Sequence, residues 1–272
     1  MQLYRFARSA LLRAPLFAAI VLSACSGDST AGGDHGIPDL DGLANFIVDS
    51  ARLASSWSLG SDYVEAGSCT SIEYGITPGT HRVLRFTVST PNIGDADAVV
   101  GDPLAHVDPN HDGDFSDSDG LFEYAPCHNH FHYKHYATYE LLPVLAGGAL
   151  GAPIFARKRG FCMDDSEPFL PGVSANSWVY RACGTLTTHG IQGVHSGWSD
   201  VYVRTLPGQY FVLDDSTQPT PPGEYVIRVT VNPPYLPDSA DACPVRDEQN
   251  FCRVLRESDY TDNVATLRIT LP

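Results

Sequence analysis

Short runs of β-branched and aromatic residues, cut at intervals by Gly and Pro, constrain this chain most. Val83-Leu-Arg-Phe-Thr-Val88, Tyr202-Val-Arg, Tyr210-Phe-Val-Leu213, Tyr225–Val231 and Val264–Leu271 suit a pleated, half-buried surface. Several of them alternate apolar with polar residues. Pro207-Gly208 and Pro221-Pro-Gly223 punctuate them. Short strands separated by turns predict an all-β, single-domain β-sandwich with long loops. Leu43 to Leu53 fits a short helix or a strand. The chain carries no internal repeat and no nucleotide-binding glycine loop.

The N-terminus predicts export. Arg5, Arg8 and Arg13 precede the apolar run Ala14–Leu22, which is too short to span a bilayer as a mature helix and fits a secretory signal. Leu22-Ser-Ala-Cys25 looks like a bacterial lipoprotein box, which implies cleavage before Cys25 and lipidation of its thiol. Residues 1–24 are then a signal peptide, 25–37 the lipidated cysteine and a flexible tether, and 38–272 the folded domain. The expected location is a membrane-anchored, exported one, in the periplasm or at the cell surface. Losing residues 1–24 takes the formal charge from −15 to −18. So acidic a surface argues against nucleic acid and favours cations, amines and metal ions among them. Cys69, Cys127, Cys162, Cys183, Cys243 and Cys252 are an even set that reads as disulfides. Spacing leaves the pairing open.

Chemistry concentrates in Cys127-His128-Asn129-His130-Phe131-His132. In an extended strand, alternate side chains share one face, so His128, His130 and His132 would point the same way. Their outer Cα atoms would sit roughly 13 Å apart, so a slight bend is needed to reach one ion. Neutral imidazoles suit copper, zinc, iron or nickel. Just upstream, Asp108, Asn110, Asp112, Asp114, Ser116 and Asp119 occupy positions 1, 3, 5, 7, 9 and 12 of a calcium-type loop. Gly113 stands at the sharp turn, and Asp119 replaces the usual bidentate Glu. A second acidic cluster, Glu257-Ser-Asp259-Tyr-Thr-Asp262-Asn263, has less regular spacing.

Downstream lie Lys158-Arg-Gly-Phe-Cys162 and Gln192-Gly-Val-His-Ser-Gly-Trp-Ser-Asp200-Val-Tyr202, a turn leading into a strand that starts at Tyr202. Together with the histidine motif, the stretch Gly223–Tyr235 and Glu257–Asn263, they resemble the lysyl oxidase family from about Asp39 to the C-terminus. The resemblance implies a copper amine oxidase that turns primary amines, small or peptidyl-lysine, into aldehydes with release of hydrogen peroxide and ammonia. It implies copper on His128, His130 and His132 and a lysine tyrosylquinone cofactor built from Lys158 and Tyr202. Asp200, two residues before the tyrosine, is the candidate base. Arg157 and Arg159 flank Lys158 and would favour its neutral amine.

The resemblance also implies a calcium site from Asp39, the Leu40 carbonyl, Glu257, Asp259, Asp262 and Asn263. For the cysteines it implies Cys127–Cys183, with Cys243–Cys252 in a local insertion and Cys69–Cys162 remaining. Tyr124 stands where the family usually has Trp. Two other readings are a non-catalytic, lipid-anchored copper-binding β domain and a zinc hydrolase. The latter gives Lys158 and Tyr202 no task.

Overall fold

The structure is a computed structural model that describes residues 41–236 and 242–272. The expectations for the signal, Cys25, the tether, Asp39 and Leu40 lie outside the described residues.

In chain order the elements begin with α1 (Ser50–Ser56), β1 (Ser58–Val64), α2 (Cys69–Tyr74), β2 (Gly79–Arg85), β3 (Val88–Pro91), β4 (Ala98–Gly101) and α3 (Pro103–Val107). Then follow β5 (Phe122–Ala125), β6 (His130–Tyr133), β7 (Ala137–Pro143), β8 (Ile154–Phe155), β9 (Glu167–Pro168), β10 (Gln192–Val194) and β11 (Trp198–Tyr202). The last are β12 (Tyr210–Val212), β13 (Gly223–Val231), β14 (Val245–Arg246), β15 (Cys252–Arg253) and β16 (Val264–Leu271). The protein is all-β, as its sequence predicts. Among the described residues no helix is long and apolar enough to cross a membrane.

The largest sheet runs β16-β13-β7-β8 and is antiparallel throughout. Along β16, Ala265, Ile269 and Leu271 are buried while Thr266, Arg268 and Thr270 are exposed, the period-two pattern of a strand with one wet face. On β7 and β13 the paired residues Glu140 and Arg228 form a two-pronged ion pair of 2.5 and 2.8 Å. Opposite lie two three-stranded sheets, β1-β2-β12 and β3-β11-β9. The layers meet through aromatic rings. Phe86, which follows β2, stacks on Phe211 of β12 at 5.0 Å and meets Tyr139 of β7 edge-on at 5.3 Å. Offset and edge-on contacts are the favoured ring geometries.

The ambiguous stretch from Leu43 resolves into both options. Ala44 and Phe46 make isolated bridges, to Glu257 and Asn92. Asp49 then caps α1 by accepting from the Arg52 amide at 2.9 Å, which satisfies one orphan donor of the helix start. Tyr202 ends β11 rather than opening a strand.

The disulfides correct the implied pairing. Cys243 and Cys252 are joined as expected, but Cys162 pairs with Cys183, at a Cα separation of 5.5 Å that is ordinary for a disulfide. Neither Cys127–Cys183 nor Cys69–Cys162 forms; Cys69 and Cys127 remain thiols. The buried side chain of Gln192 explains the change. It donates to the carbonyls of Phe131 and Cys183, both at 3.0 Å, and accepts from the Met163 amide at 3.1 Å. That clamp lays the segment holding Cys183 along the one holding Cys162. Cys127 is turned away, its thiol in hydrogen-bonding contact with Cys69.

Candidate metal centre and lysine–tyrosine site

The three histidines sit on a hairpin, not along one strand. β5 and β6 pair with Ala125 opposite His130, and the turn between them holds His128. The amides of His128 and Asn129 both donate to the Ala125 carbonyl, at 3.0 and 2.8 Å. Asn129 takes the left-handed conformation (φ 54°), which Asn tolerates better than most residues. The Tyr124 hydroxyl donates to the Asn129 side chain at 2.6 Å, bracing the turn. This turn, a sharper bend than an extended strand allows, brings the imidazoles together. One ring nitrogen from each lies within 4.8 Å of the others, and His128 Nδ1 stands 3.4 Å from His132 Nε2.

Electrostatics favour metal binding. Burial pushes the His132 imidazole down to about 3, helped by His130 and Lys158. His130 is also lowered, first by burial. Both rings are therefore neutral at physiological pH and keep the lone pair a metal requires.

Gly160 is the residue sequence reasoning passed over. A Cβ there would lie 2.0 Å from His132 Nδ1 and 2.4 Å from Cγ, so the ring occupies the space a side chain would need. Overpacking of this kind costs about 1–3 kcal/mol. Taken from metal binding, that is roughly a 5- to 150-fold loss of affinity. Gly160→Ala should show this loss in a chelator competition titration; unchanged affinity would mean that the ring yields freely.

A cavity of about 420 Å³ opens beside the cluster, lined by the three histidines together with Lys158, Asp200 and Tyr202. Tyr74, Asp164, Leu206 and Pro207 also line it; the sequence marked Pro207 as a turn residue and none of the other three. The Lys158 ammonium lies 5.1 Å from the Tyr202 ring centroid and 5.6 Å from that of Phe161. Burial lowers it to about 8, against the opposing pull of Asp200 and Glu73. The flanking arginines are not the cause, for Arg157 pairs with Asp215 instead.

Tyr202 is fixed by donating to the Cys162 carbonyl at 2.9 Å and by the Phe161 ring, perpendicular at 5.1 Å. Asp200 shares its strand face, two residues earlier. It is buried, Oδ2 has no hydrogen-bond partner, and burial raises its carboxyl well above the usual range, with the Asp164 charge adding to this.

The two acidic clusters differ. In the Asp108–Asp119 loop the side-chain oxygens accept from the loop's own backbone: Asp108 from Asp112 and Gly113, Asn110 from Asp112, Asp112 from Asp114, and Asp114 from Ser116. Asp119 turns to His106 at 2.6 Å. Among the described residues, the histidines are the His, Cys, Asp and Glu cluster whose ligand atoms all lie within 4.8 Å of one another.

The other cluster does bring the chain ends together. Ser258 donates to the Ala44 carbonyl at 2.9 Å, and Glu257 accepts from Phe46, Asn232 and Asn263. Asn45 Oδ1, Asp262 Oδ1 and Asn263 Oδ1 are buried there with no donor. Asp259 faces Thr261 on the surface.

Three convergent imidazoles, with a lysine amine and a tyrosine ring in the same cavity, define an all-β protein with a candidate metal site beside a lysine–tyrosine pair. The lysyl oxidase family model matches residues 64–262, and the chain belongs to that family. It is 25% identical over 236 residues to lysyl oxidase homolog 2 of Gallus gallus, covering 85% of this chain and 24% of that protein. It is 24% identical over 235 residues to human protein-lysine 6-oxidase, covering 85% and 45%. Human lysyl oxidase homolog 1 is 27% identical over 149 residues, covering 54% and 20%. The chain thus spans less than half the length of each of these relatives.

Proposed function

We propose that this domain is a copper-dependent amine oxidase with a lysine tyrosylquinone cofactor made from Lys158 and Tyr202. The observation that carries this reading is the Lys158 amine 5.1 Å from the Tyr202 ring centroid, in the cavity that the three imidazoles line. The net reaction takes a primary ammonium ion, dioxygen and water to an aldehyde, ammonium and hydrogen peroxide. Two electrons pass from the amine carbon to oxygen. His128, His130 and His132 would hold the copper, a donor set suited to it. When present, copper and quinone supply the redox chemistry.

The chain's own residues do the rest. The hydrogen bond to Cys162 and the Phe161 ring fix the plane of Tyr202. The lowered affinity of Lys158 for its proton leaves a larger share of free amine at neutral pH. The raised affinity of Asp200 suits a group that must take a proton from the substrate's α-carbon near pH 7. Leu206, Pro207 and Tyr74 form an apolar wall along which the alkyl chain of a small amine or a peptide lysine fits. The acidic surface draws such cations in.

The test is peptide mass mapping after aerobic incubation with copper. A Lys158–Tyr202 cross-linked peptide, with a visible absorbance that phenylhydrazine abolishes, is expected. Two separate, unmodified peptides would leave a copper-binding domain without this cofactor.

The orphaned oxygens of Asn45, Asp262 and Asn263 support calcium beside Glu257, as hard cations take oxygen donors. At a hundred times its dissociation constant calcium contributes about 2.7 kcal/mol, raising the melting temperature by roughly 5–10 °C in a domain this size. Scanning calorimetry should show that rise in the wild type and lose it in Asp262→Asn. No rise in the wild type would refute the site.

A further inference from the structure

Glu73 lies 55 residues before the histidine motif, and nothing in the sequence marks it. It sits on α2, a helix of six residues that starts at a Ser68 cap and ends at Gly75 in the left-handed conformation. Cys69 and Glu73 are four residues apart and share one helical face. That face meets two successive residues of the metal-binding turn. The Cys69 thiol contacts Cys127, and Glu73 Oε2 stands 3.2 Å from His128 Nδ1.

The Glu73 side chain is only 13% exposed, and both of its oxygens are buried without a hydrogen-bond partner. A buried, unpaired carboxylate is costly unless a cation or a set of donors compensates it. Among the described residues its ion-pair contact is with His128, not with Lys158 or Arg159.

The nitrogen it approaches decides its role. A carboxylate that only orients a ligating histidine sits on the ring nitrogen turned away from the metal. Glu73 approaches Nδ1, the same nitrogen that stands 3.4 Å from His132 Nε2. Two ligands about 2.0–2.1 Å from one ion are about 2.9 Å apart at the right angles Cu(II) favours and about 3.3 Å apart at tetrahedral angles. Both separations are of this order. The three imidazoles alone already fall within mutual reach of an ion, and the Glu73 carboxylate stands beside them, 3.2 Å from His128.

We propose that Glu73 supplies a fourth, anionic donor to the metal that His128, His130 and His132 hold. The inference rests on the metal reading of those histidines. A carboxylate in this place offsets one of the two charges of a divalent ion that three neutral imidazoles leave uncompensated.

The experiment is Cu(II) titration of the full-length apoprotein against a competing chelator, with electron paramagnetic resonance of the loaded protein. Wild type, Glu73→Gln, Glu73→Asp and His132→Ala are compared. Glu73→Gln should bind copper at least tenfold more weakly and show an altered copper hyperfine pattern, with apoprotein melting not lowered. Glu73→Asp, which keeps the charge, should recover part of the affinity. Should Glu73→Gln fail to fold, Glu73→Asp decides: an affinity between those of wild type and His132→Ala with an altered hyperfine pattern supports the carboxylate, and wild-type affinity with an unaltered spectrum overturns it. Wild-type affinity and spectrum in Glu73→Gln, while His132→Ala loses copper, would overturn the inference and leave the histidine site standing. A wild type that binds no copper overturns both.

Discussion

Tyr202→Phe should fold, bind copper and release no hydrogen peroxide above background from any primary amine. The phenol oxygen is what oxidation of this ring to a quinone requires, and phenylalanine has none. The structural cost is small by comparison, because the hydroxyl's proton is donated to one acceptor, the Cys162 carbonyl. Leaving that acceptor unpaired costs about 1–3 kcal/mol, a modest drop in melting temperature. Peroxide release and the phenylhydrazine-sensitive absorbance should both vanish while copper content stays. Peroxide production by this variant at the wild-type rate would remove Tyr202 from the chemistry altogether.

Asp200→Asn should separate the proton-transfer step from everything else. A positioned base contributes about 10²–10⁴-fold, so kcat should fall by that factor. The Lys158–Tyr202 cross-link and the copper content should be retained. Stability should not fall, and a slight rise is expected, since Asp200 buries a carboxyl with an unpartnered oxygen and the amide carries no charge to desolvate. With an α-deuterated amine, the variant should show a larger isotope effect than the wild type, as proton removal becomes rate-limiting. An unchanged kcat would assign the base elsewhere, with Asp164 on the cavity wall next to be examined.

The strands and the site residues were legible in the sequence for different reasons. β16 alternates along its length and β13 from Ile227 to Val231, a local signal that survives folding. His128, His130 and His132 stood out because alternating imidazoles are rare, yet their geometry was misjudged. An extended strand cannot bring three rings within 4.8 Å, and the left-handed Asn129 that does so leaves only a weak mark on sequence. The disulfides turned on Gln192, one buried amide that clamps three segments, and no spacing rule reports such a residue. Gly160 was in plain view beside Lys158, but its need for an empty Cβ position depends on a ring 28 residues away. The Asp108–Asp119 loop has calcium-type spacing, and its carboxylates also accept from the loop's own backbone amides, as short acidic side chains do in turns.

Lys158 lies in a loop between β8 and Cys162, whereas Tyr202 is the last residue of a strand in the core layer. A covalent link between them would therefore fasten that loop to the scaffold and, with the Cys162–Cys183 disulfide already bridging the segment, close a ring of about 25 residues. By the loop-closure relation used for disulfides, such a ring is worth about 3.5 kcal/mol against the unfolded chain. Maturation of the reactive group would then also act as a staple, and the finished protein would outlast its precursor on heating.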